Sequence, residues 1–341
     1  MRIVPGMIRF VVCALLTLAC GQARALDPDE ARHLLLRTGF GATSSEVQRL
    51  QPMSREQAVS RLLHDMGREA VTPPPGFTAN AHPDWPAQWR SKDEEQKSIF
   101  NRARDAEAAE LKAWWWQELI ATPSPFTERL VLFWHGHFTS AMDKVRAPNY
   151  LFAQNALLRA HALGSFRALL HAVARDPAMV RYLDSLNNRK AGPNENFARE
   201  LLELFTLGEG HYTEADIKAA ARAFAGWHND ERAGVFRFNV REIDDGEKSF
   251  LGRSGPLTGD DVIDAILEKP QVARFVTRKL WLELVSDAPE PRELERLATV
   301  FRSSDYSIAR LMRAMLTSVE FWAPRSRATL VSMARISLAI E

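Results

Sequence analysis

Helical signals dominate the pattern of hydrophobic and polar positions along the chain. Asp27-Pro28 supplies an N-cap and a first-turn proline, and Gly39 closes the helix they begin. Ser54 with Gln57 three residues on is a capping box for the next. A long polar helix is predicted from about Ser91 to Ile120; it ends in Trp114-Trp115-Trp116, and Pro123 and Pro125 stop it. Further helices are predicted over 125–137, 148–162, 165–175, 177–183, 194–207 and 214–225, then 259–268, 271–285, 291–302, 306–318 and 326–339. Asp176-Pro177, Thr213 with Asp216, and Thr258 mark three of the starts. Strand character is confined to 235–251, where VFRFNV alternates and Asp245-Gly246 reads as a hairpin turn. Residues 72–89 hold Pro73, Pro74, Pro75, Pro83 and Pro86 and read as an irregular segment over the surface. The pattern predicts a mainly α fold, a multi-helix globular bundle with one small β-hairpin near 235–251.

Composition narrows the function classes. The 341 residues are 46% apolar and 26% charged, ordinary for a globular protein. The formal net charge is +1 with no long run of one sign, so the basic footprint of a nucleic-acid binder is missing. A basic amphipathic membrane-surface signature is missing too. At the start, Arg2 and Arg9 accompany the apolar run Phe10 to Ala19, and Ala23-Arg24-Ala25 fits the small-x-small cleavage rule. That run is too short to span a bilayer. The expectation is a signal peptide over 1–25 and a periplasmic or secreted chain over 26–341, a single mainly α domain without a transmembrane segment. A lipoprotein anchored at Cys20 is the alternative, which Thr17 and Leu18 fit poorly. Cys13 and Cys20 both lie inside this segment, so a cleaved chain holds no disulfide and no thiolate ligand.

Three stretches carry candidate chemistry. On a wheel at about 100° per residue, Glu195, Asn196, Arg199, Glu200, Glu203 and Thr206 share one arc. Arg199 sits four residues from both Glu195 and Glu203, which suits ion pairing on a plain amphipathic surface helix as well as an active site. The second stretch, LVLFWHGHF over 130–138, is apolar on every side up to Trp134 and ends in two histidines that need polar partners. In a helix His135 and His137 point apart, whereas an extended backbone after Gly136 would align them. Aligned imidazoles with carboxylates would suit a divalent metal, zinc, iron or manganese; hydrogen-bonded core histidines are the alternative. Third, Asp184, Asn187, Asn188, Arg189, Lys190 and Asn194 crowd the loop before the charged helix, as a polar-ligand site or as turn chemistry. Tryptophans 114–116, 134, 227, 281 and 322 read as core filling rather than sugar platforms. GRSGPLTG at 252–259 lacks phosphate-loop and dinucleotide spacing, and no serine sits in a nucleophile elbow.

Several of these stretches together resemble the bacterial family catalogued as domain of unknown function 1800. The resemblance lies in HLLLRTGFG (33–41), LFWHGHF (132–138), YLDSLNNRKAGPNENFARELLELFTLG (182–208), YTEADIKAAARAFAGW (212–227), GEKSFLG (246–252) and VIDAILEKPQVARFVTRKLW (262–281). It implies an exported, mainly α-helical protein and gives no reaction. It carries over His135, His137, Asp184, Asn187, Asn194, Glu195, Arg199, Glu200, Glu203 and Gly208 as motif positions. The resemblance implies Asn where this chain has Gly136, and often a His where it has Ile243. It fades after about Leu330, and related chains run longer, which implies a truncated or altered end at Glu341.

Two expectations follow. One is an exported enzyme, a hydrolase or a metal-assisted catalyst, with Glu195, Arg199, Glu200 and Glu203 as catalytic groups. Asp184, Asn187 and Asn194 would then bind ligand, and His135 and His137 would ligate metal. The other is a non-catalytic helical scaffold or binding protein whose His, Glu and Arg network is structural. No partner is identifiable from the residues.

Overall fold

The computed structural model describes residues 24–79, 93–230, 234–324 and 326. The signal-peptide segment, both cysteines, Pro83, Pro86, the start of the long helix at Ser91 and nearly all of the predicted 326–339 helix lie outside the described residues.

Three helices open the fold: α1 (Pro28–Thr38), α2 (Ser44–Leu50) and α3 (Arg55–His64), each with a complete capping box, from Asp27, Thr43 and Ser54. The box Thr43–Glu46 is written in the sequence, yet α2 was not among the expected helices. The long polar helix is α4 (Glu94–Ala121). It is followed by α5 (Pro125–His137), α6 (Met142–Val145), α7 (Pro148–His161), α8 (Phe166–Ala174) and α9 (Pro177–Tyr182). The charged helix is α10 (Asn196–Glu200), which widens into a π-helical turn over Leu201–Thr206, and α11 (Glu214–Ala223) comes next. The C-terminal part holds α12 (Gly259–Leu267), α13 (Pro270–Leu284), α14 (Pro291–Ser303) and α15 (Ile308–Leu316). The fold is mainly α, as the pattern predicts.

Among the described residues the strands form two hairpins, β1 (Trp227–Asp230) with β2 (Val235–Phe238), and β3 (Lys248–Phe250) with β4 (Arg253–Gly255). Both are antiparallel, with Trp227 opposite Phe238 and Lys248 opposite Gly255. VFRF thus pairs backwards onto Trp227–Asp230, and Asp245-Gly246 is not the turn of a hairpin. Asp244 Oδ1 instead accepts from the Gly246 amide at 2.9 Å, and the Asp244 and Gly246 carbonyls accept from buried Lys248 Nζ. A buried ammonium consumes the carbonyls that a turn would otherwise expose.

One apolar cluster runs from Leu26 to Trp322. Its aromatic centre joins three elements: Phe166 of α8 lies 5.8 Å from Trp134, and Phe205 of the π turn 5.2 Å from Phe138. Each such ring, fully buried, contributes about 1.5–3 kcal/mol. Of the tryptophans expected in the core, Trp114, Trp115, Trp134, Trp227, Trp281 and Trp322 are buried, and Trp116 stays 41% exposed. Among the described residues no helix is long and apolar enough to cross a membrane.

Candidate functional site

The HxH segment remains helical through Gly136 to His137, so the two imidazoles leave in different directions. His135 is half-buried and meets the edge of Trp115 with ring centres 5.3 Å apart. His137 is buried, and its Nε2 donates to the Phe205 carbonyl at 3.0 Å. A carbonyl only accepts, so Nε2 carries the hydrogen and Nδ1 is the acceptor for Lys279 Nζ, 3.3 Å away. Burial, helped by the Lys279 charge, holds His137 well below its usual range, so the ring is neutral.

The other half of this contact comes from the π turn. The Leu207 amide reaches back five residues to the Leu202 carbonyl, and the Gly208 amide shares that carbonyl. Carbonyls at the end of the turn are left without intrahelical donors. Lys279 Nζ donates to Leu204 O at 2.9 Å, His137 serves Phe205 O, and Gln271 Nε2 serves Leu207 O at 3.1 Å. Gly208 ends the element at φ +80°, where an added Cβ would lie 3.1 Å from the Phe275 ring. The widened turn also changes the wheel. Thr206, expected on the polar arc, is fully buried and donates back to Leu201 O, while Leu204, expected on the apolar side, is 48% exposed. A 100° step fails once the hydrogen bonds run i to i+5.

Thus the two distant segments do meet, through backbone carbonyls rather than carboxylates. Glu195 pairs with Arg199 at 3.1 Å, and Arg199 pairs with Glu214 at 2.9 Å. Glu203 accepts from Tyr212 at 2.9 Å; burial and that bond push the phenol up to about 12. Glu200 is raised by burial and by neighbouring Glu203. Asp184, in left-handed backbone at φ 57°, pairs with Lys144 at 3.0 Å. Asn187 is exposed in a short 3-10 turn. Asn194 donates its amide to Asn188 Oδ1 at 2.9 Å, and buried Asn188 donates on to the Ala221 carbonyl at 2.8 Å. Asn188 is therefore the pivot of this loop, with its side chain turned into the fold. His135 and His137 do not come to one point, and among the described residues no group of three or more His, Cys, Asp or Glu side chains could hold a metal ion.

What the HxH helix does border is a cavity of about 580 Å³ between α4, α5, α7 and α13. Leu111, Trp115, Leu132, Phe133, Leu151 and Leu282 form apolar walls. The polar lining is Lys112, His135, His137, Thr139, Ser140, Asn155, Lys279 and the Arg129–Glu283 ion pair at 2.8 Å. Asn155 is 5% exposed, and neither its amide nitrogen nor its oxygen has a hydrogen-bond partner. Burial pushes half-buried Lys279 down to about 8. Beneath the wall, Arg159 grips Glu128 at 2.6 and 2.9 Å, both at most 2% exposed, and Trp115 Nε1 donates to the same carboxylate at 3.3 Å.

The family described as Protein of unknown function (DUF1800) matches the chain over residues 33–333. The chain belongs to the DUF1800 family. No curated protein and no solved structure matches it. Within this DUF1800 chain, Gly136, where the resemblance implies Asn, stands on the cavity wall with nothing within 4 Å of an added Cβ. Ile243, where it often implies His, packs on Gly226 in the hairpin region instead. Lys279 and Asn155 were not among the expected site residues. Lys279 had a signal: it falls seven residues after buried Val272, so a cation sits on the core stripe of α13.

Proposed function

We propose that this DUF1800 chain is an exported helical protein that binds a small, mostly apolar molecule in the cavity between α4, α5, α7 and α13. The cavity carries the reading: about 580 Å³ lies within the range of small-molecule sites, and most of the wall area is apolar, with polar groups set into it. The unpartnered Asn155 amide supports it, since a buried amide without partners costs about 1–3 kcal/mol per group, which a ligand would relieve. The Glu195–Arg199–Glu214 and Glu203–Tyr212 contacts are structural in this reading, as are the bonds of Asp184, Asn194 and His137. A hydrolytic or metal-assisted centre would need these groups released from those partners.

Gly136 allows a test that leaves the core alone. Gly136→Trp places a large ring on the cavity wall from a helical position open within 4 Å of Cβ, and removing a helical glycine adds a few tenths to about 1 kcal/mol of helix stability. Anilinonaphthalene sulfonate, an apolar body with an anionic head, binds the folded wild type at one saturable site. Gly136→Trp keeps its Tm and loses that binding. Equal binding by both proteins would refute the reading. Export rests on the Phe10–Ala19 run and is checked by N-terminal sequencing of the periplasmic form, which starts near Leu26. A cytoplasmic chain beginning at Met1 would overturn it.

A further inference from the structure

Resting on that reading of the cavity, we infer that Lys279 captures a small aldehyde or ketone there as an imine. Lys279 Nζ is held at the cavity wall, 4.8 Å from the centre of the Phe275 ring. A neutral amine has two N–H bonds, and two acceptors stand ready for them, Leu204 O at 2.9 Å and His137 Nδ1 at 3.3 Å. His137 is fixed in the accepting tautomer because Nε2 is spent on Phe205 O. No carboxylate makes an ion pair with Lys279 among the described residues; Glu283, one turn on, is taken by Arg129. Several other lysines make ion pairs: Lys97 with Glu94, Lys144 with Asp184, Lys190 with Asp245 and Lys248 with Asp244. Burial adds a neutral fraction of Lys279 at ordinary pH.

The chemistry balances within the site. The Nζ lone pair forms a bond to the carbonyl carbon while the C=O π pair moves onto oxygen. Both amine hydrogens end on that oxygen, which leaves as water, and C=N remains; no oxidant or reductant is consumed. His137 Nδ1, already facing one N–H, is the acceptor through which a proton passes on its way to the departing hydroxyl. Once protonated, the imine keeps one N–H for the Leu204 carbonyl. The body of the carbonyl compound lies against Trp115, Leu132 and Leu282.

The test uses the full chain with octanal and cyanoborohydride at near-neutral pH, with adducts located by peptide mapping. Octan-1-ol, which forms no imine, is scored in parallel by displacement of anilinonaphthalene sulfonate. The expected result is a secondary amine at Lys279 formed about tenfold or more faster than at exposed Lys112 on the same cavity. Lys279→Arg, which keeps a cation for Leu204 O, loses the adduct and still binds octanol. The site comparison within wild type stands even if that variant does not fold. Labelling of Lys279 no faster than Lys112, with octanol still bound, would sink the imine and leave the cavity reading intact. Loss of octanol binding as well would sink both.

Discussion

Replacing His137 separates a structural imidazole from a ligating one. The ring is 4% exposed and lies 5.9, 5.6 and 4.5 Å from the centres of Phe133, Trp134 and Phe138. His137→Ala removes an aromatic-sized volume from the core, which costs about 3–5 kcal/mol by analogy with Phe to Ala. His137→Phe keeps the packing and strands the Phe205 carbonyl, for about 1–3 kcal/mol. At roughly 2–4 °C per kcal/mol, Tm falls by about 2–12 °C for Phe and about 6–20 °C for Ala. A pH signature accompanies this. Burial depresses the folded imidazole, so the unfolded chain takes up the proton first, near pH ~6.5. The contribution is therefore present above that pH and lost as pH falls toward the folded value, and His137→Phe lacks the decline. Scanning fluorimetry and urea titration on either side of that pH, with and without zinc and a chelator, measure all of it. A bound metal at 100 times its Kd would add about 2.7 kcal/mol to the wild type alone. A zinc rise confined to wild type, or variants within about 1 °C of it, would refute the structural role.

The Glu128–Arg159 pair predicts a different asymmetry. Glu128→Leu or Arg159→Met alone costs about 3–5 kcal/mol, because one buried charge is stranded, whereas Glu128→Leu with Arg159→Met costs far less. Chemical unfolding of the four proteins of that cycle checks it, and additive losses would contradict it. Asp176 gives a linkage of opposite sign to His137. Burial pushes it up to about 7 although Met179 N and Gln154 donate to it, so its folded form keeps a proton that the unfolded chain has lost. Its contribution is full at acid pH and is lost as pH rises through about 7. Asp176→Asn therefore raises Tm above neutrality and leaves it nearly unchanged in acid; a rise equal at both ends would count against burial as the cause.

Local chemistry explains what could be read early. Caps at Asp27, Ser54, Thr213 and Thr258 bond within three residues, so nothing distant is needed to start those helices, and all four helices begin there as expected. The mainly α architecture and the core tryptophans follow from the same short-range periodicity. Gly136 left two readings open for the converse reason: a lone glycine lowers helix propensity, but packing of Trp134, His137 and Phe138 in the core carries the expected 125–137 helix through it. VFRF carried its strand signal without a partner, since pairing with Trp227–Asp230 depends on where α11 delivers the chain. The candidate residues around 195–203 showed their charges but not their partners. Whether Arg199 faces Glu214 or a ligand, and whether His137 meets a carboxylate or a carbonyl, depends on the docking of α10, the π turn, α5 and α13. The cavity is the clearest such case. Trp115, Asn155 and Lys279 lie far apart along the chain, and each alone reads as ordinary helix composition. Periodicity specifies which face of a helix is buried; the space left between four buried faces is a property of their packing, which no single stretch encodes.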